Sequence, residues 1–373
     1  MKQMPVLTSR FQNRTLLPFG TALILIIAGL LGCLAIYSSR SFADEPLNFV
    51  FRQLFWLCPG ILLFLAAAAV PFRIYRKIAL PGLILSLLAL SIVLFREIGI
   101  TVNGMRGWFD LGIFHVQPSE FAKTAFLLYL CVYCGPRKEL NGRQWLGLFL
   151  LGGITAGLVM AEPDFGGALM FFVIFMLISL LRGVRFQYLL IAAGVMLTAT
   201  VFFLLSNEYA FLRVLGYLDP DGAYSASAWH IKQFQYTLAH GGWTGSDWGN
   251  ALWSGAFLPL PHTDSLFASI VESTGFLGGL AVIAGFLFMA GGFFAPSWKV
   301  RGGNDDRRFF IFAAGTVCLI QALIHISVNC VLIPPTGVTL PILSYGGSSL
   351  FAVLLTFGIA FSAARSEENE DDA

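Results

Sequence analysis

An all-α protein that crosses a membrane about ten times is the fold class this sequence predicts, and three observations carry the prediction. Of the 373 residues 57% are hydrophobic and only 12% charged, about half the charge of a soluble domain, and the mean hydropathy is +0.77. Apolar runs close to the roughly 20 residues that a helix needs to cross a hydrocarbon core recur from Leu16 to the C-terminus. Lys and Arg gather in alternate connections between those runs, as the positive-inside rule requires.

The spans follow in order at residues 16–37, 49–70, 78–95, 119–134, 145–160, 165–181, 186–205, 265–294, 309–332 and 341–364. The first follows a basic start (Lys2, Arg10, Arg14) and contains Leu30-Leu31-Gly32-Cys33, which faintly resembles a lipoprotein cleavage box. Its apolar run exceeds the 7–15 residues of a signal peptide and further spans follow at once, so it reads as an uncleaved helix. Arg73, Arg76 and Lys77 precede the third span; Arg137, Lys138 and Arg143 follow the fourth. Arg182 and Arg185 separate the sixth from the seventh, Lys299 to Arg308 the eighth from the ninth, and Arg365 follows the tenth. Both termini are therefore expected in the cytoplasm, with connections 96–118 and 206–263 outside.

The longer outer connection, 206–263, carries eleven aromatic residues, among them Tyr217, Trp229, Trp243 and Trp253, and is expected to lie along the outer membrane–water interface, where Trp and Tyr are favoured. Residues 1–364 thus form a single membrane domain, and the acidic segment 365–373 is a disordered, solvated tail. A net charge of +2 without a dense basic patch argues against a nucleic-acid partner. Cys131 and Cys134 are a lone CxxC pair on a membrane helix and read as core packing, since a zinc site needs a second ligand pair.

An ionisable side chain at the bilayer centre costs at least about 2.5 kcal/mol, so those that persist face a cavity, a partner or a site. Glu120 and Lys123 share one face of the fourth span, as a self-neutralising pair or as the basic lining of a pocket for an anion. Gln321, His325 and Asn329 form a polar stripe on the ninth span, read as a hydrogen-bonded helix interface or a ligand path. Asp164 reads foremost as the cap of the sixth span. Thr263 or Asp264 could cap the eighth span in the same way, but His262 stands beside them and Glu272 lies two turns deeper on much the same face. A partly desolvated carboxylate at a membrane mouth suits a general base. In 334–350, PPTGVTLPILSYGGSSL, prolines and small residues predict irregular backbone or close packing around a shaped interior.

Taken in order, NGMRGWFDLGIFHVQPSEFAK, EPDFGGAL, PHTDSLFASIVESTGFLGG and PPTGVTLPILSYGGSSL resemble the SEDS family (shape, elongation, division and sporulation) over most of the chain. The resemblance implies a multi-pass protein of the cytoplasmic membrane, a peptidoglycan glycosyltransferase that polymerises lipid II at the outer face during cell elongation or division. It implies Asp264 as the essential residue, Glu120 and Lys123 lining a central cavity, and a class B penicillin-binding protein, with other elongation or division proteins, as partners. Asp264 would deprotonate the acceptor hydroxyl. Lys123, Arg106 or Arg213, or a divalent cation (Mg or Mn) held by Asp264 and Glu272 with the substrate phosphates, would stabilise the leaving pyrophosphate; His262, Glu120 and Glu272 complete the expected substrate contacts, and no organic cofactor is implied. The chain departs from the family pattern at Ser265-Leu266-Phe267, at Ser273 beside Glu272, and at Glu162-Pro163-Asp164, where the family has QPD. A lipid II flippase and a non-catalytic scaffold for a transpeptidase are the competing readings.

Overall fold

The computed structural model describes residues 7–42, 45–102, 104–112, 114–222, 228–299 and 305–365, with side chains from residue 21 onward except those of Tyr209 and Lys299. Apart from Arg365, the acidic tail lies outside the described residues, as do Lys2 and the side chains of Arg10 and Arg14. Each of the ten expected spans coincides with a helix: α1 (Leu7–Ser39), α2 (Pro46–Ala69), α3 (Phe72–Val93), α4 (Pro118–Cys134), α5 (Gly142–Ala161), α6 (Phe165–Leu181), α7 (Phe186–Ser206), α11 (Leu266–Lys299), α12 (Asp306–Asn329) and α13 (Gly347–Arg365). Among the described residues, eight helices are long and apolar enough by themselves to cross a membrane; α6 is as apolar but has 17 residues. α4 is equally short and carries Glu120 and Lys123 in its first turns.

Two connections are more ordered than the sequence suggests. The connection after α3 contains a small antiparallel sheet, β1 (Gly99–Val102), β2 (Met105–Asp110) and β3 (His115–Val116), in the order β1-β2-β3. The 206–263 connection contains α8 (Glu208–Leu218), α9 (Trp229–Gly241) and α10 (Leu252–Ala256). Its aromatics divide: Phe234 is buried, while Trp229, Tyr236 and Trp243 are exposed. The tenth helix begins six residues later than expected, because 341–346 is a turn in which Ile342 has φ 68°. α11 is broken at Gly275 (φ 72°, ψ −173°), a conformation that strains any residue with a Cβ.

α4 and α12 form the centre of the bundle. Phe126, Cys131 and Cys134 on α4 are wholly buried, as are Phe310, Ala313 and Ala322 on α12. Both cysteines are free thiols within this core. α2 and α13 approach closely through glycines: a Cβ at Gly60 would lie 2.7 Å from Leu354 Cδ1, and one at Gly358 2.6 Å from Phe64 O, the small-residue contact by which membrane helices gain packing.

At the end of the bundle where α12 starts, Arg76 on α3 pairs with buried Asp306 (2.5 Å) and Arg182 with Asp305 (3.3 Å). Arg76 before the third span and Arg182 after the sixth thus have acidic partners at the start of α12. α12 has 24 residues, so its other end lies about 36 Å away, and there it meets the Asp264 turn.

Candidate active site

Asp264 sits in a turn (261–265) immediately before α11. A capping role would spend its carboxylate on the first amides of that helix, but α12 satisfies them instead. Phe267 N donates to His325 Nε2 (3.3 Å) and Ala268 N to Asn329 Oδ1 (3.0 Å). Asn329 Nδ2 also donates to the main-chain oxygen of Asp264 (3.0 Å), and His325 Nδ1 pairs with Val338 O (2.8 Å). Gln321 completes the stripe by donating to Thr339 O (3.1 Å). The polar face of the ninth span is therefore a helix interface that holds the start of α11. Among the described residues, the Asp264 carboxylate makes no hydrogen bond and is half-buried.

The turn is fixed from two further sides. Ser344 Oγ donates to Thr263 O (2.8 Å) and accepts from Leu340 N (2.9 Å), while Tyr345 N donates to His262 O (2.9 Å). Gln53 on α2 donates to Ser344 O (3.2 Å). His262 is packed against Phe49 and Tyr345, with ring centroids 4.7 and 5.5 Å apart. Burial, with Arg40 nearby, lowers its pKa to about 4, so it is a neutral wedge under the turn. Leu260 and Ile342, both non-glycine residues in the left-handed region (φ 47° and 68°), lie in the two segments that meet here, and such strain persists only where surrounding contacts over-determine the backbone.

The electrostatics join Asp264 to residues far apart in sequence. Burial raises its pKa to about 6; the Asp164 carboxylate pushes it further up and the Arg213 guanidinium on α8 opposes them. Asp164 caps α6 by accepting from Gly167 N (2.7 Å), as its position suggests. Burial raises it too, to about 6; the Gly167 bond and Lys123 favour its charge, and Glu120 disfavours it. Lys123 Nζ meets Glu120 Oε1 at 2.8 Å, with both side chains nearly buried. Asp164 and Arg213 thus act on Asp264, and Lys123 and Glu120 act in turn on Asp164.

The Glu120–Lys123 pair lines a cavity of about 40 Å³ among α4, α6, α12 and α13, with Thr124, Gln321 and Thr356 as the rest of its polar lining. A water needs about 10–15 Å³, so this space suits a few waters and not a sugar. Neither Asp164 nor Asp264 lines it.

Two expected site residues are placed elsewhere. Arg106 lies on β2 with its Nε buried and unpartnered, and among the described residues no contact joins it to Asp264. Glu272 is wholly buried, and Oε1 accepts from Trp253 N (2.8 Å) and pairs with His240 Nδ1 (2.8 Å). Its Oε2 accepts from Ser254 N (2.7 Å) and from Ser254 Oγ. Four partners occupy this carboxylate, and among the described residues no three His, Cys, Asp or Glu side chains could hold a metal ion together. Asp264 and Glu272 therefore do not fit a shared divalent cation; Glu272 anchors the outer connection to α11.

Sequence reasoning left unassigned the electrostatic role of Asp164, the wedge formed by His262, and Glu162, a wholly buried carboxyl group. A signal for Glu162 was present: an acid that ends an apolar span next to proline has no obvious solvent to face.

The family described as "Cell cycle protein" (FtsW, RodA and SpoVE) matches residues 16–369. Curated proteins named probable peptidoglycan glycosyltransferase FtsW are similar over nearly the whole length. That of Saccharophagus degradans is 32% identical, covering 91% of this chain and 89% of its own, and that of Legionella pneumophila is 31% identical, covering 89% and 86%. Among solved structures, a chain from a peptidoglycan synthase complex that coordinates polymerization and crosslinking superposes with a TM-score of 0.77 at 27% identity, covering 94% of this chain and 98% of that one. The Thermus thermophilus rod-shape-determining protein RodA superposes with a TM-score of 0.69 at 26% identity and the same coverage. With sequence and fold matched from end to end, this multi-pass membrane chain belongs to the FtsW, RodA and SpoVE family.

Proposed function

We propose that the protein is a peptidoglycan glycosyltransferase that polymerises lipid II at the outer face of the cytoplasmic membrane, in cell elongation or division, with Asp264 as general base. One observation carries the assignment of the base: the Asp264 turn is held by its main chain, Asp264 from α12 and Thr263 from Ser344, while the Asp264 carboxylate stays uncommitted. The acceptor hydroxyl gives its proton to Asp264 as its oxygen attacks the anomeric carbon, and the bond from that carbon to the lipid pyrophosphate breaks. A carboxylate raised to about 6 is ionised near neutrality and still a stronger base than an ordinary aspartate. Arg213, and Lys123 with its Glu120 partner, supply positive charge towards which the departing pyrophosphate can move. Polyprenyl tails would lie against the apolar helix faces, and a class B penicillin-binding protein would crosslink the strands.

The test is polymerisation of labelled lipid II by the purified protein, with and without its cognate class B penicillin-binding protein. Asp264→Asn is expected to lower the rate by about 10²–10⁴, the usual contribution of a general base, without loss of fold. Polymer formation at wild-type rate by the variant overturns the assignment of the base. If the wild type makes no polymer even with its partner, the flippase and scaffold readings replace the enzyme.

A further inference from the structure

Glu162 is the most isolated acid of the site. It ends α5, is wholly buried, and among the described residues neither carboxyl oxygen has a hydrogen-bond partner. It lies under β2 at Gly107, where a Cβ would come within 2.6 Å of Oε2; glycine leaves the room that the carboxyl group fills. Because side chains alternate across a strand, Arg106 points to the other side of the ribbon, where its Cγ packs over Gly99. Arg106 is not among the groups that act on its ionisation. The charged group that acts on Glu162 is Asp164, two residues on, which disfavours its ionisation. Glu120 and Lys123 on α4 act on Asp164, and Asp164 with Arg213 on α8 acts on Asp264.

We propose that Glu162 is a positioning residue for the polymerisation reaction: it stands in the site as an un-ionised carboxylic acid, so that Asp164 and Asp264 carry the carboxylate charge, and its ionisation turns the site off. An unpaired charge buried without donors costs several kcal/mol, so the group keeps its proton instead. Burial first, and then the Asp164 charge, raise its pKa to about 8. When the proton leaves, a further negative charge appears beside Asp164. The site then repels the pyrophosphate of its substrate, and the buried acid pulls in water or moves from beneath Gly107.

This inference rests on the glycosyltransferase reading, and two measurements separate their fates. The first is the lipid II polymerisation rate at pH 7 and pH 9 for wild type and Glu162→Gln. A group titrating near 8 is about 10% protonated at pH 9, so wild type is expected to slow about 10-fold, and the variant, which cannot ionise there, less than twofold. Equal slowing of both proteins overturns the proposal. The second, independent of turnover, is the infrared carbonyl absorption of the protonated acid. It is expected at pH 7 in wild type, fading towards pH 9, and absent from Glu162→Gln; its absence from wild type at pH 7 overturns the un-ionised state. A wild type that makes no polymer but shows the absorption overturns the enzymatic reading and the positioning role, and leaves a buried neutral acid.

Discussion

Replacing Glu272 separates a loop anchor from a substrate ligand. In Glu272→Ala, Ser254 N–H, Ser254 O–H and Trp253 N–H all lose their acceptor. Each buried donor left unsatisfied costs about 1–3 kcal/mol. For the two donors of Ser254, which is wholly buried, that is about 2–6 kcal/mol if the segment stays in place. The segment has a cheaper course, since α10 can lift from α11 and let water reach the amides. The expected result is therefore local opening, read by hydrogen exchange over residues 251–258 of the protein in nanodiscs. At least tenfold faster exchange there corresponds to about 1.4 kcal/mol, while exchange in α4 and α12 stays as in wild type. Glu272→Gln, which keeps the size and one acceptor oxygen but loses the charge assistance, should fall between. Unchanged exchange in Glu272→Ala refutes the anchor. A polymerisation defect in Glu272→Gln without faster exchange would restore Glu272 as a ligand of substrate or cation.

Further outcomes follow from the other contacts. The polymerisation rate should fall as pH drops below about 6, because Asp264 and Asp164, both raised to about 6, lose their charge there; a rate unchanged down to pH 5 contradicts the base. The pKa of Glu162 in the folded protein is about 8 against an ordinary 4.5. Its contribution to stability is therefore full below about 4.5 and lost as pH rises to 8, so the melting temperature of wild type should drop relative to Glu162→Gln over that window. At Gly135 a methyl group would overlap the backbone of Asp306, and Gly135→Ala should destabilise by about 1–3 kcal/mol, seen as a lower detergent-melting temperature. Lys123→Gln leaves Glu120 buried without its cation partner and should weaken polymerisation more than the double change Lys123→Gln with Glu120→Gln, which removes both charges.

Eight of the ten spans were legible because each is a bilayer-length apolar run, and the alternation of basic residues kept the shorter α4 and α6 in the count. Shorter elements escaped for the same reason. The 99–116 sheet uses strands of two to six residues, and α8, α9 and α10 are too short or too polar to register in a window of about 20 residues. Pro341 to Gly346 reads as the apolar opening of a helix and is a turn, because Ser344 and Tyr345 are drawn to Thr263 and His262. In the site, Asp264, Glu120 and Lys123 could be picked out from the rarity of charge in an apolar chain. Whether Asp264 caps its own helix could not be read locally, since the competing cap groups, His325 and Asn329, come from about 60 residues further on. The same non-locality hid Glu272, whose partners lie 18 to 32 residues earlier on a connection with no sequence signal for docking.

Because α12 supplies the cap of α11, the Asp264 turn is not a transplantable cassette. A chimera that exchanges only residues 261–273 between two relatives would set a foreign helix start against His325, Asn329 and Ser344, whose hydrogen bonds fix the place of the base. Grafts that also carry residues 321–346 keep donor and acceptor together. The unit of exchange, and of co-inherited change, is this pair of segments, although some fifty residues of unrelated membrane helix separate them in the chain.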